Sequence, residues 1–206
     1  MANVLFVKAH PLTGAQSKTL EVTDVFLNKY TELNPTDTIE VLDLFDSYIP
    51  ELDNTLLTAM YALGGGTEFS ALTADQQKAI TRFGELTDQF LAADKIVIAN
   101  ALWNLNIPTK LKAWFDAINV AGKTFRYTET GPVPMTEGKK IVHIQSGGGN
   151  YDGADFASQY VKAMMNFVGV MDHTLIPVEG IDHHPEQKEE IMNAAKANAE
   201  EVAAKF

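Results

Sequence analysis

NVLFVKAHPLTGAQSKTL, residues 3–20, is the stretch on which the fold turns. Its first eight residues, Asn3–His10, form a short apolar and β-branched run that ends at a turn, which reads as a buried strand. Pro11 and Gly14 then reverse the chain. From Ser17 to Lys29, apolar residues at Leu20, Val25, Phe26 and Leu27 recur among polar ones, the spacing of a helix with one inward face. A strand passing through a tight turn directly into a helix is the opening half of a βαβ unit.

Further along, the same alternation returns. Thr38–Phe45 (TIEVLDLF) alternates as a second strand, and Lys95–Leu102 (KIVIANAL) is a continuous apolar run of the kind buried on both faces. Lys140–Gln145 (KIVHIQ) and Thr174–Val178 (TLIPV) follow, each leading through Gly and a polar turn to a helical stretch, Phe156–Val168 and Pro185–Phe206. Five strands with helices between them predict an α/β fold, a doubly wound five-stranded parallel sheet with helices on both faces. Glu51–Gln89 reads as an insertion of two helices broken at Gly64-Gly65-Gly66; these glycines follow a helical pattern, so they read as a flexible connection and not as a phosphate loop. Gly122–Lys140, with Gly131, Pro132, Pro134 and Gly138, reads as an excursion of hairpin type. There is no repeat or linker, and residues 1–206 are expected to form a single domain.

Composition narrows the chemistry. Lys and Arg total 16 against 27 Asp and Glu, a net charge of −11, so a broad basic face for nucleic acid or anionic lipid is not expected. An anionic ligand would have to be held by local geometry against the global field. There is no cysteine, which excludes disulfides, thiolate metal sites, iron–sulfur clusters and thiol redox chemistry. Redox work, if any, falls to a bound cofactor. MANVLFVKAHPL lacks the basic segment and long apolar core of a signal peptide, and no stretch reaches the roughly 20 apolar residues of a membrane span. The expectation is a soluble cytoplasmic protein with no membrane partner.

In an open parallel sheet, ligands bind beyond the carboxyl ends of the strands. After the first strand, Ser17, Lys18 and Thr19 open a helix, where free N–H groups, the helix dipole and two hydroxyls form a compact anion site; the plainer reading makes Ser17 a helix cap. After the third, Leu102-Trp103-Asn104-Leu105-Asn106 places an indole beside two amides, a stacking face for a planar heterocycle, or else a cap on the core. After the fourth, Ser146-Gly147-Gly148-Gly149-Asn150-Tyr151 lets backbone N–H groups approach a ligand edge. Gly122-Lys123-Thr124 is not a P-loop, since Ala117 stands where the first glycine belongs, and no G-x-G-x-x-G occurs. His183-His184 with Glu186 reads as a turn before the last helix, not a metal site, and His143 as a satisfied core residue. No side chain is placed by sequence as a nucleophile or as any other catalytic group.

HPLTGAQSKTL, ANALWNLNIPTKLKAWFDAI, AGKTFRYTETGPVPM, HIQSGGGNYDG and FVGVMDHTLIPVEGID together resemble the FMN-dependent NADH-azoreductases, also called FMN-dependent NADH:quinone oxidoreductases. The similarity runs in order along the whole chain, with its most specific block at Trp103–Ile118 followed by Phe125-Arg126-Tyr127-Thr128. It implies a flavodoxin-like fold, bound FMN, NADH as electron donor, a homodimer with an active site at each end of the interface, and ping-pong transfer to small aromatic acceptors, quinones or azo compounds. By the same resemblance Ser17, Lys18 and Thr19 take the FMN phosphate with His10 nearby, and Leu102, Trp103, Asn104 and Leu105 line the isoalloxazine. Ser146, Gly147, Gly148 and Tyr151 close its other edge, while Phe125 and Tyr127 shape the substrate side. His10 stands where the family commonly has Ser, and Trp103 where Tyr or Phe is usual; both bear on substrate preference. A flavodoxin-type electron carrier and a binding module without flavin are the alternative readings.

Overall fold

In the computed structural model, which describes residues 1–206, the most continuously apolar run of the sequence occupies the middle of the sheet. This strand, β3 (Lys95–Ala101), has parallel neighbours on both sides, β1 (Asn3–Ala9) and β6 (Lys140–Ser146), with β2 (Thr38–Asp43) and β7 (Asp172–Val178) at the edges. The strand order β2-β1-β3-β6-β7 is that of a flavodoxin-like sheet, as the resemblance implies. The chain leaves β1 toward one edge and returns on its other side, so winding reverses between β1 and β3, the position where such sheets take ligands.

Side-chain alternation along each strand builds two cores. Leu5, Val7, Ile96, Ile98 and Ile141 face α3 (Ala74–Ala92), α4 (Thr109–Ile118) and α5 (Phe156–Val168), with α2 (Asn54–Gly64) adding Leu56. Val4, Phe6, Val97, Val142, Ile144 and Ile176 face α1 (Lys18–Leu33) and α6 (Lys188–Lys205). On the first face Trp114 is fully buried between Phe90 (ring centroids 6.3 Å) and Phe115 (5.2 Å), each such side chain contributing about 2–3 kcal/mol of burial.

Element ends follow local chemistry. β2 stops at Asp43, two residues before the expected end, because Asp43 Oδ1 accepts the N–H groups of Phe45 (2.9 Å) and Asp46 (3.3 Å) and turns the chain. The insertion is two helices, as expected. α2 ends at the glycines, and α3 begins in a capping box in which Gln76 N–H donates to Thr73 Oγ1 and Thr73 N–H to Gln76 Oε1. The final helical stretch opens with a short 3-10 turn, Pro185–Gln187, before α6. The excursion is a hairpin of β4 (Phe125–Thr128) and β5 (Gly131–Pro134). It lies at the amino edge of the sheet: it follows the end of α4, precedes the start of β6, and Thr136 Oγ1 donates to Val168 O at the end of α5.

Two glycines with positive φ separate strain from crowding. Gly66 (φ 87°) has open space where a side chain would begin, whereas a Cβ on Gly169 (φ 105°) would lie 2.0 Å from Thr136 O. Gly66→Ala is expected to cost about 1 kcal/mol and Gly169→Ala about 3 kcal/mol or more, read as urea midpoints at constant m. Equal midpoints would remove the packing role assigned to Gly169.

Candidate functional site

The turn after β1 presents backbone donors. Ser17 is extended (φ −125°) and caps α1, its Oγ accepting the Leu20 N–H at 3.3 Å, while Thr13 O holds the N–H groups of Gln16 and Ser17. The next two N–H groups, on Lys18 and Thr19, have no acceptor in the protein, so the positive end of the helix dipole is open to an anion. The Thr19 hydroxyl, expected to face a phosphate, is instead buried 2.7 Å from Ser146 Oγ, and the whole residue is buried; what it leaves toward the helix start is an N–H without an acceptor. Lys18 Nζ reaches Asp182 Oδ1 across the crevice at 3.2 Å.

His10 is buried at the end of β1. Its Nδ1 accepts the Leu12 N–H (3.1 Å), which leaves Nε2 to carry the proton. Burial, and then the nearby Lys8 ammonium, lower its pKa, so the ring is neutral at neutral pH. It lies 5.1 Å from the Trp103 ring, tilted by 52°.

After β3 the chain makes a two-residue turn. Leu102 N–H donates to Ser146 O (2.7 Å), and Trp103 and Asn106 exchange backbone hydrogen bonds of 3.1 and 3.0 Å. Between them Asn104 (φ 50°) and Leu105 (φ 62°) are both left-handed. Asn accepts that conformation readily, but in Leu105 it stores about 1–2 kcal/mol. The turn holds the indole out of the core: Trp103 is 41% exposed and Leu105 52%. Trp103 is therefore available for stacking.

After β6, Gly147 N–H bonds Val178 O, and the carbonyls of Gly148 and Gly149 accept from Asp182 (3.2 Å) and Gly180 (3.0 Å). The N–H groups of Gly148 and Gly149 have no protein acceptor. A Cβ at 148 would fall 2.2 Å from Asp182 Oδ2, a neighbour the sequence does not reveal, so a side chain there requires that exposed carboxylate to swing aside. Glu179 Oε2 accepts the N–H groups of both Tyr151 (2.7 Å) and Asp152 (2.9 Å), pinning the far end of the loop, and the Tyr151 ring lies over Gly147 and Gly149.

Behind these loops is a buried polar chain that sequence reasoning missed. His143 Nε2 donates to Asn100 Oδ1 (2.8 Å), Asn100 Nδ2 to Gln145 Oε1 (3.0 Å), and Gln145 Nε2 to Asp155 Oδ1 (3.0 Å). Burial, with His173 adjacent, pushes His143 down to about 3, so it is neutral, and its Nδ1 has no partner. Burial would raise Asp155, but hydrogen bonds from Ser158, Gln145 and Ala157 outweigh it and hold the carboxyl below its ordinary value. The available signal was polarity: Asn100 and Gln145 interrupt two apolar strands and are direct cross-strand neighbours.

Ser17, Lys18, Thr19, His10, Leu102–Leu105, Ser146–Gly148 and Tyr151 thus gather at one sheet edge. Phe125 and Tyr127 do not. Phe125 is buried against Phe167 (ring centroids 4.7 Å) and Tyr127 is exposed, both at the amino edge, about 20 Å away along the 13 residues of α5. His183 and His184 form a turn, their N–H groups bonding Gly180 O.

The strand order and the crevice at its switch point define a flavodoxin-like α/β protein, and the family described by a flavodoxin-like fold matches residues 2–203. Full-length relatives are more specific. An FMN-dependent NADH:quinone oxidoreductase of Streptococcus suis is 44% identical over 98% of both chains, and FMN-dependent NADH:quinone oxidoreductase 2 of Listeria innocua is 44% identical over 100% of both. The crystal structure of an FMN-dependent NADH-azoreductase from Bacillus anthracis in complex with FMN superposes with a TM-score of 0.93, at 35% identity over 100% of this chain and 99% of that one. The chain belongs to the FMN-dependent NADH:quinone oxidoreductase and azoreductase family.

The contact between Gly148 and Asp182 is testable without any ligand. Gly148→Ala should lower stability by about 1–3 kcal/mol in thermal or urea unfolding, and Asp182→Ala in the same chain should restore most of it. Strict additivity of the two substitutions would refute the contact.

Proposed function

We propose that this chain, as a single FMN-binding domain over residues 1–206, passes hydride from NADH through bound FMN to quinones and azo compounds. The observation that carries this reading is one row of strand ends offering unpaired N–H donors at Lys18 and Thr19, an exposed indole at Trp103, and unpaired N–H donors at Gly148 and Gly149. That set fits a phosphorylated, planar heterocycle. The helix start, with the Ser17 hydroxyl, the Lys18 ammonium and the neutral His10 Nε2–H, takes the phosphate. Leu102, Trp103, Asn104 and Leu105 line the ring system, and Ser146, Gly147, Gly148 and Tyr151 close its opposite edge.

When bound, FMN supplies a centre that accepts a hydride and gives it up again. The chain's own residues orient and stabilise. Trp103 and Leu105 fix the plane and exclude water, and the Gly148 and Gly149 N–H groups are directed donors for negative charge on the heterocycle's edge, fixed before reaction by the Gly180 and Asp182 contacts. No nucleophile is required. One open face serves donor and acceptor in turn, which is a ping-pong scheme. The chain's own Phe125 and Tyr127 lie too far off to cover that face, and this supports a homodimer in which the hairpin of a second copy completes each pocket. A net charge of −11 and no arginine cluster at the strand ends favour NADH over a donor with an additional phosphate.

The purified protein should show an oxidised-flavin spectrum that NADH bleaches and a quinone restores, with parallel double-reciprocal plots at several quinone concentrations. A flavin that NADH fails to bleach would indicate a carrier, and intersecting plots would show that donor and acceptor do not share one face.

Ser17→Ala should weaken FMN binding by roughly 10- to 100-fold, the effect of one hydroxyl on a charged group, and leave riboflavin binding unchanged. Unaltered FMN affinity in a flavin-fluorescence titration would return Ser17 to the role of helix cap alone.

A further inference from the structure

Gln145 is next to last in β6 and buried, and both ends of its amide are engaged. Oε1 accepts from Asn100 Nδ2 at 3.0 Å, while Nε2 donates to Asp155 Oδ1 at 3.0 Å and to Ser158 Oγ at 2.9 Å. The orientation is forced, because a carboxylate only accepts and the Asn100 amide nitrogen only donates. Each partner controls a different segment. Asn100 directly precedes the Ala101–Asn106 turn, and Asn100 Nδ2 also reaches Ala101 O (3.2 Å). Asp155 caps α5, accepting the Ser158 N–H at 2.8 Å, and so closes the 147–154 loop. One planar amide therefore joins the exit of β3, the exit of β6 and the start of α5.

We infer that Gln145 is a positioning residue: without touching the cofactor, it sets the spacing between the indole-bearing turn and the Gly148 and Gly149 N–H groups. The role rests on the flavin reading above. Without Gln145, Ser158 still completes the α5 cap and Asn100 keeps Ala101 O and His143, so helix and strands persist. The backbone bond from Leu102 N–H to Ser146 O also stays; what goes is the side-chain tie that couples the β3 exit to the Asp155 end of the 147–154 loop.

Gln145→Glu tests this with almost no change in shape. The introduced carboxyl faces Asp155 on α5, with His143 on β6 and His173 on β7 beyond it and Lys162 acting on His173; Asn100 on β3 and Thr19 on α1 carry no charge. Burial holds His143 neutral in the parent across the pH range of the test. Ionised, the new carboxylate repels Asp155 and the loops part; protonated, it donates to Asp155 and accepts from Asn100 as the glutamine does. Two quantities are read in apoprotein: affinity for FMN and for riboflavin by fluorescence quenching, and hydrogen exchange of the 147–154 amides. Near pH 8 the variant should bind both flavins about tenfold or more weakly and exchange those amides faster, and near pH 5 it should recover to within about threefold of the parent. Gln145→Leu should be weak at both values. Riboflavin lacks a phosphate, so its loss and recovery separate this effect from that of Ser17. Parent-like affinity and exchange in Gln145→Glu near pH 8, or a loss that acid does not reverse, would overturn the inference. If the parent protein bound neither flavin, the functional reading would fall, and the exchange measurement would still decide whether Gln145 ties the loops.

Discussion

The ligand edge depends on the parallel register. Ala9 pairs with Asn100, Ala101 with Ser146, and Ser146 with Val178, so four strands end at nearly the same level. Parallel strands must all leave from one edge, and their loops are therefore neighbours in space although they lie far apart along the chain. A slip of one residue in β6 would turn Gln145 and His143 away from the face they share with α5 and move the glycine loop away from Val178 and Asp182. The apolar faces prevent it, because Ile141 and the alternate Val142 and Ile144 each have a dedicated core to fill.

Within that frame, binding an anion on a protein of charge −11 is a local problem. Surface charges are screened over about 10 Å at ordinary ionic strength, whereas N–H groups at the α1 start act at hydrogen-bond distance. The lysine in this region is paired with Asp182 at 3.2 Å, so an anion at the helix start shares its ammonium with that carboxylate. Asp182 has a second effect: its carboxylate occupies the space beside Gly148, so a side chain there would have to displace it.

Some of the molecule's local cost lies at or behind this edge. Leu105 holds a left-handed backbone, His143 Nδ1 and Asp155 Oδ2 are buried without partners, and two polar side chains sit in the most apolar strands of the sheet. The Trp114 and Phe90 cluster on the α3 and α4 side, and the packing of Phe26, Tyr30 and Phe206 with aliphatic residues on the α1 and α6 side, offset these terms from a distance.

Strand and helix identity, the order of elements and the rough place of the ligand edge were all legible in residues such as KIVIANAL and HPLTGAQSKTL, because apolar periodicity and turn chemistry are local properties. So was the family, and with it Ser17, Trp103 and Gly148 as residues of one edge. What required the tertiary structure was direction and distance. Thr19 points its hydroxyl inward to Ser146, Phe125 and Tyr127 lie at the far end of α5, and the Asp182 carboxylate sits against Gly148. The Asn100–Gln145–Asp155 chain belongs to the same class: its members are 45 and 10 positions apart in sequence, and only strand register and the docking of α5 bring them within 3.0 Å. Periodicity states which face a side chain occupies, but not which distant residue it meets there, since that is decided by how separate elements pack.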